Sequence, residues 1–156
     1  MAGFSRRASY HQAVAQFYSI DAANERLAEL RPVLERLRAE WTDLIALRDL
    51  AVERISAVEA RSEGGPAPLP SPEDDAELRR IRMRMQGIVD QMQAAVGQID
   101  DWGITLREIE SGLIDFPALV SGRQVWLCWR LGEDDVAWWH ELTTGFGSRQ
   151  PLSDLA

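Results

Sequence analysis

The chain has one cysteine, Cys128, and no lysine. A lone thiol cannot close an internal disulfide, so the fold must rest on its own core, and a reducing, cytoplasmic setting is expected. No uncharged apolar run approaches the roughly 20 residues of a membrane span. The opening stretch Met1 to Gln16, with Arg6 and Arg7, also lacks the apolar centre of an export signal, so no membrane partner is expected. Positive charge is the scarcer sign: 17 arginines stand against 25 acids, a formal net charge of -8. That excess argues against nucleic acid as a partner, because phosphate contacts need a basic face. The exclusive use of arginine reads as nucleotide composition rather than as a set of recognition forks. Also missing are CxxC, HExxH, GxGxxG and GxxxxGK[ST], and with them the usual zinc and nucleotide signatures.

What is present suits a globular domain. The 156 residues are 46% hydrophobic, and a chain of this size can bury roughly 70% of the surface that its unfolded form exposes. From Leu27 apolar residues recur at alternating steps of three and four: Leu30, Leu34, Leu37, Trp41, Leu44, then Ala51, Ile55 and Val58. This heptad-like seam predicts a helix from about Ala22 to Arg61, with Asp21 as its N-cap. Pro32 lacks an amide donor and crowds the carbonyl of Ala28, which predicts a kink or break near Leu30 to Pro32. Ser62 to Pro72 holds four of the seven prolines and the pair Gly64-Gly65, and reads as a loop. Ser71, Pro72, Glu73, Asp74 and Asp75 then have the order of a helix start: capping hydroxyl, proline, acids. The second seam runs through Leu78, Ile81, Met85, Ile88, Met92, Ala95, Ile99 and Trp102.

Two seams joined by one loop fold back as an antiparallel, coiled-coil-like hairpin over 21–102. Further apolar residues beside the seams, such as Val33, Ile45, Leu47, Met83 and Val89, widen the stripe beyond what two helices need. The extra width points to packing against the C-terminal part or against a second copy of the hairpin; a homodimer is the favoured expectation, with another docked protein as the alternative. After Trp102 the period changes to two. Short strands are predicted at Ile104 to Leu106, Gly112 to Phe116, Gln124 to Leu131 and Val136 to Leu142. The class is therefore α+β: a long helical hairpin followed by a small antiparallel sheet. Residues 17–152 form one domain, with a β-rich part at 103–142, a tail to 152 and a variable or disordered extension at 1–16.

Chemistry concentrates in that sheet, where Asp115, Cys128, Glu133, His140 and Glu141 supply a thiol, an imidazole and carboxylates. A four-residue loop at Gly132 to Asp135 would pair Leu127 with His140 and Cys128 with Trp139, putting Cys128 and His140 on opposite faces. A three-residue loop or a bulge would pair Cys128 with Trp138 and bring them to one face. The plain structural readings are a histidine bonded to a carboxylate such as Asp115, a small buried hydrophobe at Cys128, and a solvated Glu133 at the hairpin tip. Asp115, between Ile114 and Phe116, needs a donor or a cation, because burying it unpaired is costly. Arg123, Arg130 and Arg149 are the candidates.

The runs Tyr18 to Asn24, Leu30-Arg31-Pro32, Gly112 to Ala118, Leu127 to Glu133, Trp139-His140, Gly145-Phe146 and Arg149 to Leu152 resemble the bacterial domain-of-unknown-function family numbered 2203. The likeness covers nearly all of Phe17 to Leu152, and its distinctive segments here are DFPA, CWRLGE and WWHE. It implies a small cytoplasmic helical-hairpin protein, supplies no substrate, and directs attention to Asp115, Cys128, Glu133 and His140. The functional expectation is a non-enzymatic, dimeric binding protein. It would carry a divalent transition metal (zinc, iron or manganese) on His140 with Asp115, Glu133 or Glu141, and Cys128 and Arg130 would stand nearby. The competing expectation is an adaptor whose hairpin docks a partner. An enzyme is the weakest reading, because no nucleophile, base and orienting group can be assembled from spacing.

Overall fold

The computed structural model describes residues 16–61, 65 and 69–155. The expected 1–16 extension lies outside these apart from Gln16, as does most of the Ser62 to Pro72 loop. Helix α1 spans Ile20–Ala60 and helix α2 spans Pro72–Asp101, packed together as a hairpin. The N-cap of α1 is Ser19 rather than Asp21: its hydroxyl accepts from the amide of Ala22, and Asp21 falls in the first turn. Pro32 does not end the helix either. Both Pro32 and Ala28 face solvent, so water can take the freed carbonyl, while the buried Leu30, Val33 and Leu34 hold the turn in place. Helix α2 begins at the expected cap, where Ser71 and Asp74 form a reciprocal capping box with Pro72 at the first position.

Five antiparallel strands follow in sequence order: β1 (Thr105–Glu108), β2 (Leu113–Val120), β3 (Arg123–Arg130), β4 (Trp138–His140) and β5 (Gln150–Pro151). Between β2 and β3, Ser121 and Gly122 both adopt positive φ, at 52° and 77°, as a two-residue turn of the hairpin type requires. Strand β2 is longer than its sequence suggests because it runs straight through Pro117. The carbonyl of Pro117 accepts from Tyr18 N at 2.8 Å, so this residue turns its backbone polar groups away from β3. The missing N–H therefore costs the β2–β3 ladder nothing.

One sheet face is apolar. Ile114, Phe116, Ala118, Val125, Leu127, Trp129 and Trp139 join Leu27, Leu30, Leu34 and Leu37 of α1 and Met92, Ala95 and Ile99 of α2 in a single buried cluster. The hairpin thus sits on the sheet by its open end. Its far end is thinly packed: Val52, Ile55 and Met83 are exposed there.

Candidate functional site

The register of β3 on β4 decides what shares a face. The observed pairs are Cys128↔Trp138, Leu127↔Trp139 and Trp126↔His140, one residue away from the register of a tight four-residue loop. The connection is longer than that, running from Leu131 to Ala137. Glu133 shapes it: its carboxylate accepts from Arg130 N at 2.8 Å, and its amide donates to the Arg130 carbonyl. Paired residues of a sheet point to the same side. Since β2 places Asp115 opposite Cys128, the residues Asp115, Cys128 and His140 all project from the face away from the helices.

A carboxylate oxygen, the Cys128 sulfur and a His140 ring nitrogen lie within 4.8 Å of one another, and all three residues are buried. His140 Nε2 is 3.0 Å from Asp115 Oδ2, and Nδ1 is 2.8 Å from the Glu141 carbonyl. A carbonyl only accepts, so Nδ1 carries a hydrogen. In the neutral imidazole Nε2 is then bare and faces a carboxylate, and only a proton or a cation between them makes that contact favourable. Fixing the tautomer through a backbone carbonyl is also how a metal-binding histidine is commonly oriented.

Asp115 finds its arginine at a position that spacing does not indicate. Arg107 Nε donates to Asp115 Oδ2 at 2.7 Å, and the guanidinium lies 5.1 Å over the Trp126 ring. Thr105 pairs with Asp115, so Arg107, two residues on, shares the Asp115 face by alternation, with the register shift of β1 falling between Leu106 and Glu108 beside it. The other carboxylate oxygen, Oδ1, is buried and has no hydrogen-bond partner among the described residues.

The remaining predicted residues stand apart from this cluster. Glu133 receives Arg149 at 2.6 Å, Glu141 receives Arg123 at 2.7 Å, and Arg130 lies over Phe146 at 5.2 Å. These contacts fasten residues 141–149, which leave β4, cross the outer face and return as β5 beside it. Arg149 also stacks on Trp138 and Phe146, at 4.7 and 4.6 Å. Under this cover lies a cavity of about 250 Å³ lined by all three cluster residues, Arg107 and Phe146, among others. No periodicity signals a cover of Leu142, Thr143, Thr144 and Gly145.

Burial pushes the Cys128 thiol up to about 12, and the Asp115 charge beside it adds to the rise. In the metal-free chain Cys128 is therefore a protonated thiol at neutral pH rather than a nucleophile. The folded chain keeps this proton between about pH 9 and 12, whereas the unfolded chain loses it, so the contribution to stability falls as pH rises through that window. Urea unfolding at pH 8 and pH 10.5 should show wild type losing more stability than Cys128→Ala. Equal losses would place the thiol's titration in its ordinary range.

The arrangement also excludes a cysteine–histidine–aspartate relay, since both ring nitrogens are engaged away from the sulfur. The family described as "Uncharacterized conserved protein (DUF2203)" matches residues 16–152. The chain belongs to this family. The matched span takes in both helices, the whole sheet and every residue of the buried cluster. No curated protein and no solved structure matches the chain. Among the described residues, no helix is long and apolar enough to cross a membrane.

Proposed function

We propose that this member of the DUF2203 family binds a divalent transition metal through Asp115, Cys128 and His140. The observation that carries the reading is the convergence of three different ligand types in one buried cluster, with His140 Nδ1 held by a carbonyl and Asp115 Oδ1 unpartnered. Tetrahedral zinc, with bonds of roughly 2.0–2.3 Å, keeps its ligand atoms roughly 3.3–3.8 Å apart. Small side-chain movements within the 4.8 Å cluster would reach that spacing. A thiolate with an imidazole favours zinc or iron over manganese. Compared with the ligand set expected from sequence, Cys128 takes the place of Glu133 and Glu141, both of which are engaged with arginines.

Zinc content of untagged protein prepared without chelator tests the reading, measured beside His140→Ala with helical content as the folding control. Wild type should hold close to one zinc per chain, and the variant should lose affinity by more than about 100-fold while its helices persist. Metal-free wild type, or a variant that binds equally well, would refute it. Because the metal must displace the Cys128 proton, affinity should rise up to about tenfold per pH unit near neutrality.

The proposal of a homodimer has its own support. Exposed Val52, Ile55 and Met83 line the outer end of the hairpin, and a groove of about 370 Å³ lies nearer the sheet between Leu44, Met92 and Val96. The mass in solution by light scattering tests this: twice the chain mass supports pairing, and a monomer at micromolar concentration opposes it.

A further inference from the structure

Three protein ligands leave a tetrahedral metal with one position open. All three cluster residues line the cavity beneath residues 142–146, so the open position faces that space. Charge then narrows what can fill it. A divalent ion with a thiolate, a carboxylate and a neutral imidazole sums to zero. Arg107, the one cationic side chain of the cavity wall, raises the total to a single positive charge. Its hydrogen bond to Asp115 uses Nε, so the two Nη groups are left to present a fork to a second acceptor. The rest of the wall is mixed: Leu113, Leu142 and Phe146 are apolar, and Thr143 and Thr144 supply hydroxyls. At about 250 Å³ the space falls below the roughly 300–1,000 Å³ of pockets for drug-sized ligands, which is too small for a nucleotide.

We infer that the cavity receives a small organic monocarboxylate, one oxygen on the metal and the other on the Arg107 fork, with its carbon chain against Leu142 and Phe146. This rests on the metal reading above and gives it a ligand class. A monoanion brings the site to zero charge, whereas a phosphate dianion would leave a net negative charge in a half-open, partly apolar space. Arg107 is thus a binding residue for the ligand as well as a partner of Asp115.

Cobalt(II) loaded into the full chain reports the two levels separately. A thiolate-to-cobalt charge-transfer band reads metal binding at Cys128, and the visible d–d bands read the open position. Titration with butyrate should move the d–d bands saturably in wild type, while butanol leaves them unmoved and inorganic phosphate acts at least tenfold more weakly. Arg107→Met should weaken butyrate at least tenfold with the charge-transfer band retained. Leu142→Glu, which keeps all three ligands and Arg107 and sets an anion in the wall, should do the same, and it carries the test if Arg107→Met fails to hold cobalt. The inference is overturned by a retained charge-transfer band with d–d bands that ignore butyrate, by wild-type affinity in Leu142→Glu, or by phosphate binding more tightly than butyrate. Loss of the charge-transfer band in wild type itself would overturn the metal reading and this inference together.

Discussion

Trp129→Ala is expected to lower the free energy of unfolding by about 3–5 kcal/mol, the usual cost of truncating a buried large aromatic. Trp129 is fully buried at the junction of sheet and hairpin, so the cavity left behind would open between the two parts of the fold. Its Nε1 also donates to the Glu133 carbonyl at 3.2 Å, and Arg31 lies 5.3 Å over the ring. For a chain of this size the loss should lower the melting temperature by about 6–20 °C. Trp129→Phe separates the contributions: it keeps an aromatic ring and forfeits the hydrogen bond, for about 1–2 kcal/mol. Thermal unfolding by circular dichroism reads both. A Trp129→Ala protein within 1 kcal/mol of wild type, on the order of a surface change, would mean that sheet and helices do not share the core described.

Gly112→Ala should be the second most damaging single change, at about 2–4 kcal/mol, although it adds only a methyl group. Gly112 has φ +63°, and a Cβ built there would lie 2.6 Å from Leu131 Cβ. The first feature costs an L-residue about 1–2 kcal/mol. The second cannot be relieved by turning a flexible side-chain end, because the contacted atom is itself a Cβ and Leu131 N is bonded to the Gly112 carbonyl at 3.1 Å. Gly87→Ala supplies the opposite sign. This position is helical and exposed, with nothing within 4 Å of an added Cβ, so the change should stabilise by about 1 kcal/mol. Chemical denaturation of the two variants checks the pair: a neutral or stabilised Gly112→Ala would contradict the backbone assignment at Gly112, and a destabilised Gly87→Ala would contradict the open helical setting of Gly87.

The parts of the fold that were legible in the sequence are those with a strong period or a local cap. The three-four seams mark α1 and α2, and Ser71 to Asp75 marks the start of α2 because capping is decided within a single turn. Strand existence could be read from alternation, but strand register could not. A change of one residue in the Leu131 to Ala137 connection decides whether Cys128 and His140 meet, and that length depends on the Glu133 carboxylate folding back onto Arg130 N. Arg107 lies one residue beyond the predicted strand Ile104 to Leu106, and the sequence does not say that this strand pairs beside Asp115. The predicted strand stopped at Phe116, and the docking of Tyr18 on the Pro117 carbonyl shows why β2 continues. Asp115 was the most informative residue at the sequence level: a carboxylate between Ile114 and Phe116 demanded partners, and the fold supplies Arg107 and His140.

A metal ion joining Asp115, Cys128 and His140 is read most directly by zinc X-ray absorption on the loaded chain. The expected spectrum has one sulfur at about 2.3 Å together with nitrogen and oxygen neighbours at about 2.0–2.1 Å, and the sulfur shell should disappear in Cys128→Ser. A zinc surrounded by oxygen and nitrogen alone, unchanged by Cys128→Ser, would place the metal elsewhere on the chain and rule out this site.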